Sequence, residues 1–390
     1  MKRTISVLLL FVTSFLMYAE DKPKVSLAYD LGFEMKFDNR EYYESDFSSS
    51  MTIFGARLTP AVGLSLSEKC GAEHRLMFGV DVMKDFGASP VSELAAGGQT
   101  QETASRLNNL GLFREILLYY RYDKLIGKTA LEIHAGIFPR KAMQEENYSQ
   151  AFFSDSLRFY DNNLEGLLLK FHRPKADFEV GCDWMGQYGL ARREKFMIFT
   201  SGEGRILPFM SIGYAGYMLH YANSHMARGL VDNILFNPYM RFDLGEKTGL
   251  QRLSFRLGWL QAMQRDREYD GVFVFPGGIE FDQEFRHWNA GVNNRLYCGT
   301  GLMPYYNNVD NAGLKYGSSL YLGDPFYRVH DDDSSGAGIY DRLEVFYEPS
   351  LGKFLKFRIS ALFHFHKAGY SGCSQMIGLS FDLNELLKRK

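Results

Sequence analysis

The chain is poor in the parts from which soluble enzymes and disulfide scaffolds are read. Its 390 residues hold four cysteines, Cys70, Cys182, Cys298 and Cys373, with no CxxC among them. That scatter excludes a tight disulfide framework or a zinc ribbon. Independent thiols are expected, with a Cys298–Cys373 bridge left open because both fall near expected external loops. Neither sign of charge dominates, 44 Lys+Arg standing against 46 Asp+Glu, so no nucleic-acid partner is implied. There is no GxSxG, no HExxH and no phosphate-cradling glycine loop. The expectation is therefore a protein that is not an enzyme and takes no metal and no cofactor. No Pro/Ser-rich linker or shift of composition divides the chain into domains. Long apolar runs are scarce too. Ile5 to Met17 is uncharged, follows Met1-Lys2-Arg3 and precedes Tyr18-Ala19 and Glu20-Asp21-Lys22. That is the layout of a secretory signal peptide over 1–19, and the run is shorter than the ~20 residues of a spanning helix. Ile206 to Ala227 lacks formal charge but is interrupted by Pro208, Gly213 and Gly216, which suits a strand and a loop better than a helix.

What the chain does have is alternation. In Lys24–Asp38, KVSLAYDLGFEMKFD, the residues Val25, Leu27, Tyr29, Leu31, Phe33, Met35 and Phe37 share one side of an extended strand. Asp30, Glu34 and Lys36 lie on the other, because successive side chains of a strand point to opposite faces. Sixteen such segments are expected, at 24–37, 51–66, 73–86, 111–123, 128–138, 162–173, 176–185, 192–201, 205–219, 231–244, 250–263, 276–285, 288–298, 338–348, 354–366 and 374–384. Short connections alternate with long ones such as 87–110, 139–161 and 299–337. Aromatics reach 15%, with 32 Phe and 24 Tyr. Short turns at one end, long loops at the other and an even strand count are the signature of an outer-membrane barrel. The fold class expected is all-β: an antiparallel transmembrane β-barrel of 16 strands over 20–384, with 14 or 18 as alternatives and a polar tail at 385–390.

A soluble sandwich also alternates. Three features argue against it. The segments have the length of a tilted bilayer crossing. The polar face carries charge at mid-strand. A 16-stranded interior is too wide for side chains alone to fill, so its lining must be polar. With the apolar face toward lipid, the lumen receives Asp30, Glu34, Lys36, Arg57, Glu115, Arg121, Glu132, Arg241, Arg252, Arg256, Glu280, Arg295 and Arg358. Arg241, Arg252 and Arg256 sit on adjacent strands. They form either a basic strip for anionic groups or half of a set of wall ion pairs.

The third external loop, 139–161, mixes Phe152, Phe153, Phe159 and Tyr160 with Arg140, Lys141, Glu145, Glu146, Asp155 and Arg158. A loop built only for solvent rarely holds so many rings, so it is expected to fold into the lumen and set a constriction with those six charged residues. Asp331-Asp332-Asp333 matches no complete calcium loop, and His364/His366 have no third partner for zinc.

The layout resembles the Gram-negative general porin architecture and, in texture, the porin-like outer-membrane proteins of the Bacteroidota. The resemblance rests on Phe138-Pro139-Arg140, Ala151-Phe152-Phe153-Ser154-Asp155-Ser156, Gly323-Asp324-Pro325-Phe326-Tyr327-Arg328 and Ser371-Gly372. It implies residence in the outer membrane, lipid and the barrel-assembly machinery as partners, and passive passage of small hydrophilic solutes; it also allows a homotrimer. The aromatic expected at the end of the last strand is displaced, since Phe381 is followed by Asp382-Leu383. Two rivals stand beside the channel. One is a hydrolase embedded in the barrel and acting on lipid, which calls for a Ser/His pair on the lipid-facing side. The other is a structural or secretion-linked barrel with a blocked pore, which calls for a lumen filled by loops.

Overall fold

A computed structural model of the protein describes residues 24–383 apart from 43–44, 46, 88–112, 191, 227, 270, 310–315, 331–335 and 368. The signal peptide expected at 1–19, the tail at 385–390 and the Asp331–Asp333 triplet lie outside the described residues. The described residues form sixteen strands: β1 Lys24–Glu41, β2 Met51–Ser67, β3 Ala72–Asp85, β4 Phe113–Ile126, β5 Thr129–Pro139, β6 Asn163–Arg173, β7 Ala176–Gly186, β8 Lys195–Leu207, β9 Met210–Tyr221, β10 Val231–Asp243, β11 Arg252–Asp266, β12 Gly277–His287, β13 Ala290–Thr300, β14 Ala337–Tyr347, β15 Leu355–His366 and β16 Gly369–Asp382. Each pairs antiparallel with its sequence neighbours, and β1 closes onto β16 through Gly32↔Asp382 to Glu41↔Cys373.

Closure leaves no open sheet edge, which is what a barrel in hydrocarbon requires. The outward faces confirm the solvent. Leu27 is 78% exposed, Val62 63% and Phe78 54%, with Leu118, Ile198 and Ile279 beside them on the same surface. A continuous apolar band of this kind suits only lipid. Among the described residues no helix is long and apolar enough to cross a membrane. The protein is thus an outer-membrane β-barrel, and the alternation of β1 divides it as expected: Val25, Leu27 and Tyr29 meet lipid while Asp30 bonds inward.

L1 to L8 name, in chain order, the connections between the external strand ends, 42–50, 86–112, 140–162, 187–194, 222–230, 267–276, 301–336 and 367–368; the long connection expected at 87–110 lies almost wholly outside the described residues. Two expected boundaries shift. The turn expected at 202–204 lies instead at Pro208-Phe209, because the ladder continues through Gly202 and Gly204 and ends where Pro208 has no N–H to give. The last loop, expected at 367–373, shrinks to two residues, and β16 starts at Gly369 with an irregularity opposite His364 and Phe365. All four cysteines are free thiols, so Cys298 and Cys373 are not bridged.

Candidate functional site

The interior is organised by L3. It leaves β5 at Pro139 and turns into the lumen. Arg140 is its anchor: its guanidinium donates to the carbonyls of Asp161 (2.8 Å) and Asn163 (3.1 Å) and pairs with Asp183 at 3.2 Å. The expectation that Arg140 faces a constriction is therefore wrong. A guanidinium has five donors in one plane, and here it staples the two ends of the loop to the wall. Lys141 does face the lumen and spans to Asp30 (3.4 Å) and Asp382 (3.1 Å) across the β1–β16 closure. Burial opposes its charge, yet these two carboxylates outweigh it and hold the ammonium above its ordinary range.

The rest of L3 is tied down strand by strand. The Gln144 amide donates to Glu179 at 2.9 Å and the Asn147 side chain to Ser201 at 3.2 Å. Arg256 donates to the Asn147 carbonyl at 2.9 Å and Arg241 to the Glu146 carbonyl at 3.2 Å. Tyr148, Phe152 and Phe153 bury against Phe199 and Tyr217. A short helix, Asp155–Tyr160, is capped by Ser154, whose hydroxyl accepts from the Leu157 amide at 3.2 Å. Asp155 pairs with Arg342 at 3.1 Å. Burial pushes its carboxyl up, but Arg342, Lys36 and Arg158 more than reverse that, holding it well below the usual carboxylate range.

L7 descends onto L3 from the opposite wall. The Ser154 amide donates to the Leu322 carbonyl (2.9 Å) and the Asp324 amide to the Gln150 carbonyl (2.8 Å). Gly323 sits between these bonds, where an added Cβ would lie 2.0 Å from the Ala151 carbonyl oxygen. Only glycine allows two backbones to approach so closely. Next to it, Phe326 stacks on His364 at 3.9 Å between ring centroids, with Tyr42, Phe47 and Tyr340 around it. Tyr327 donates its hydroxyl to Glu280. Asp324, buried beside Asp155, has its carboxyl pushed up to about 6, burial outweighing the Phe326 amide and the nearby Arg342 and Arg40. One apolar cluster runs from inward residues of β2 to β6, through L3 and L7, to β13 and β14. It joins both loops to the inward faces of the wall.

Toward the periplasmic side, a cavity of about 700 Å³ opens between L3 and the wall of β10 to β16 and β1. Of the residues expected to line a pore, Glu34, Lys36, Arg241, Arg252, Arg256, Arg295 and Arg358 border it, with Lys141, Glu145, Glu146, Asp155 and Arg158 from L3. Arg57 borders a second, smaller cavity of about 550 Å³. Asp30, Glu115, Arg121, Glu132 and Glu280 also turn inward but border neither cavity. Asp30 is held by Lys141, Glu115 accepts from Asn163 at 2.7 Å, Arg121 pairs with Glu132 at 3.3 Å, and Glu280 lies under Tyr327. Parity places a side chain on a face; it says nothing of what a loop lays over it. The three arginines of the expected basic strip are engaged. Arg241 pairs with Glu203 at 3.0 Å and Arg252 with Glu284 at 3.2 Å. Arg256 donates to Asn237 at 2.6 Å. Sequence reasoning missed Arg342, Glu344 and Glu348, which also border the cavity. Their signal was present, since Arg342 and Glu344 alternate with Leu343 and Val345.

Comparison with known proteins then places the chain. A family model described as lipid A 3'-O-deacylase-type matches residues 20–225, just over half of the sequence. The chain belongs to the lipid A 3'-O-deacylase-type family. This overturns the expectation that it is not an enzyme: the missing nucleophile signatures excluded particular local motifs, whereas the family is named for an activity. No curated protein matches. Among solved structures the chain is similar to a loop-L8 deletion mutant of OmpT, an outer-membrane protein of Vibrio cholerae, at 9% identity and a TM-score of 0.48, covering 92% of this chain and 99% of that one. Pseudomonas aeruginosa OpdL is similar at 8% and 0.44, covering 92% and 98%, and Acinetobacter baumannii OccAB4 at 8% and 0.45, covering 92% and 98%.

Proposed function

We propose that the protein is an outer-membrane conduit for small hydrophilic solutes whose outer mouth is closed by the L3–L7 junction. The observation that carries this reading is the pairing of a charged cavity of about 700 Å³ with an apolar L3–L7 junction beside it. A wall carrying both signs keeps the cavity wet and admits polar solutes by size and local field rather than by one charge. Lys36, Arg252, Arg295 and Arg358 face Glu34, Glu145, Glu284 and Glu348 across or along it. Passage through the outer half then requires L7 to leave L3, so the conduit is gated rather than permanently open. The test is single-channel recording in planar bilayers. Rare openings in the wild type and frequent ones after deletion of 145–158 support the reading. No conductance in either protein overturns it.

A second reading is favoured by the family match: hydrolysis of an acyl ester on a lipid of the outer leaflet. Its test is incubation with an acylated, phosphorylated glycolipid and mass spectrometry of the lipid. Loss of one acyl chain supports it, and an unchanged lipid overturns it.

A further inference from the structure

We propose that Glu34, Ser380 and Lys356 form a binding site for small zwitterions, molecules with one ammonium and one carboxylate, on the lumen wall at the barrel closure. The inference rests on the conduit reading above and names a class of solute for it.

The site follows from register. Glu34 of β1 stands opposite Ser380 of β16, and Ser380 stands opposite Lys356 of β15. Directly opposite residues of paired strands share a face, so the three form one row on the lumenal side. Strands ~4.8 Å apart put the Cα atoms of Glu34 and Lys356 about 10 Å from each other. The row stands where the two cavities meet, since Glu34, Ser380 and Lys356 border both of them. The floor between the two charges is low. Ser380 is small, and in the next row Gly378 lies between Lys36 and Arg358. A Cβ added at Gly378 would meet nothing within 4 Å, so the dip is open to the lumen.

Ion pairing sets this row apart from its neighbours. Arg358 holds Glu344 and Glu348, both at 2.9 Å, and Arg295 holds Asp282 at 2.6 Å. Lys36 lies 3.7 Å from Asp38. Among the described residues Glu34 and Lys356 have no ion pair and no side-chain hydrogen bond. An acid and a base thus face each other across a hydroxyl, and neither neutralises the other.

The chemistry of this row selects its ligand. A bound ammonium donates to the Glu34 carboxylate, while Lys356 donates to a bound carboxylate. The Ser380 hydroxyl can serve either group, because it both donates and accepts. Each end is a charge-assisted hydrogen bond. A simple anion gains Lys356 but is repelled by Glu34, and a simple cation meets the reverse. A molecule with both groups on a short carbon frame satisfies the two poles at once. Small amino acids are the class that fits. Contacts this exposed are individually weak, which lets the solute leave as well as enter.

The experiment records openings of the full-length protein in planar bilayers while β-alanine, propionate or propylammonium is added. Glu34→Gln, Lys356→Gln and the double exchange Glu34→Lys with Lys356→Glu are compared with the wild type, each checked for folding by heat-modifiable migration. In the wild type β-alanine should interrupt the open-channel current at concentrations roughly three- to tenfold below those of the other two probes. Each single variant should lose that preference. The exchange should restore it, because a zwitterion turned end for end fits the same two poles; a merely structural pair would not behave so. Equal block by all three probes in the wild type overturns the site and leaves the conduit standing. A preference that survives in a folded, conducting Lys356→Gln does the same, as does an exchange variant that conducts without regaining it. No conductance in the wild type or after deletion of 145–158 overturns both the site and the conduit.

Discussion

Gly323→Ala is the smallest change that should open the outer mouth. Its Cβ would meet backbone on three sides: the Ala151 carbonyl oxygen at 2.0 Å, the Ala151 carbonyl carbon at 2.6 Å and the Gln150 oxygen at 3.1 Å. None of these is the end of a flexible side chain, so the loops must part. Parting breaks the two backbone bonds that join L3 to L7, each worth roughly 0.5–1.5 kcal/mol net. It also loosens the Phe326–His364 stack, an aromatic pair of about 0.5–1.5 kcal/mol. Together these amount to roughly 2–4 kcal/mol, and each ~1.4 kcal/mol is a factor of ten in population. The undocked state should gain on the order of 30- to 700-fold. Single-channel recording reads this as a higher open probability at unchanged barrel stability, and limited proteolysis reads it as faster cutting within 317–328. A variant with wild-type open probability and wild-type protection of L7 would refute the claim that this junction is the closure.

Three further outcomes follow from the same geometry. Asp324 has a folded value of about 6 against an ordinary 3.8. Its contribution to docking is therefore fully present below pH 3.8 and lost as pH rises through 6. L7 should be better protected at pH 5 than at pH 7.5, and Asp324→Asn should flatten that profile; hydrogen exchange of L7 amides checks it. Asp155, held low by Arg342, does not titrate in that window. Leu118→Arg places a charge on the lipid face at mid-strand and should cost about 2–4 kcal/mol in folding into vesicles, measured by denaturant titration; an unperturbed midpoint would contradict the assigned faces. Deleting 145–158 removes both the L3 side of the junction with L7 and the part of L3 that borders the cavity, and should raise open probability and unit conductance together, where Gly323→Ala raises open probability alone.

Much of the fold was legible because a barrel strand states its two faces residue by residue. In β1 the charges Asp30, Glu34 and Lys36 interrupt only one parity, and the lipid defines which side is which. The charged residues of that parity turn inward for that reason, though only some of them border a cavity. What alternation could not convey is the loop lying over the wall. Glu280 is a mid-strand charge like Asp282, yet a Tyr327 hydroxyl from far along the chain covers one and not the other. Arg140 reads as an exposed loop cation, and its burial depends on Asp183 of β7 coming within 3.2 Å. The start of β16 was hidden by a subtler effect: the strand was expected from 374, and a one-residue irregularity at Ser371 sets the direction of the residues before it.

The position of the family match gives the interior a further meaning. Residues 20–225 carry β1 to β9 and L3, whereas L7 and the wall of β10 to β16 lie beyond it. Each half alone would be an open sheet with unpaired edges. Closing them as sixteen strands creates a lumen wider than side chains can fill, and something must occupy it. L3 from the matched half and L7 from the other meet there, and backbone bonds rather than side-chain packing alone join them at Gly323. A backbone junction is sensitive to a single Cβ but indifferent to the identity of most neighbouring side chains. Truncating Leu322 or Gln150 should therefore leave the closure in place while Gly323→Ala opens it. If Gln150→Ala raises open probability as much as Gly323→Ala does, side-chain contacts hold the loops, and the closure is a packing surface rather than a joint between two chains of amides.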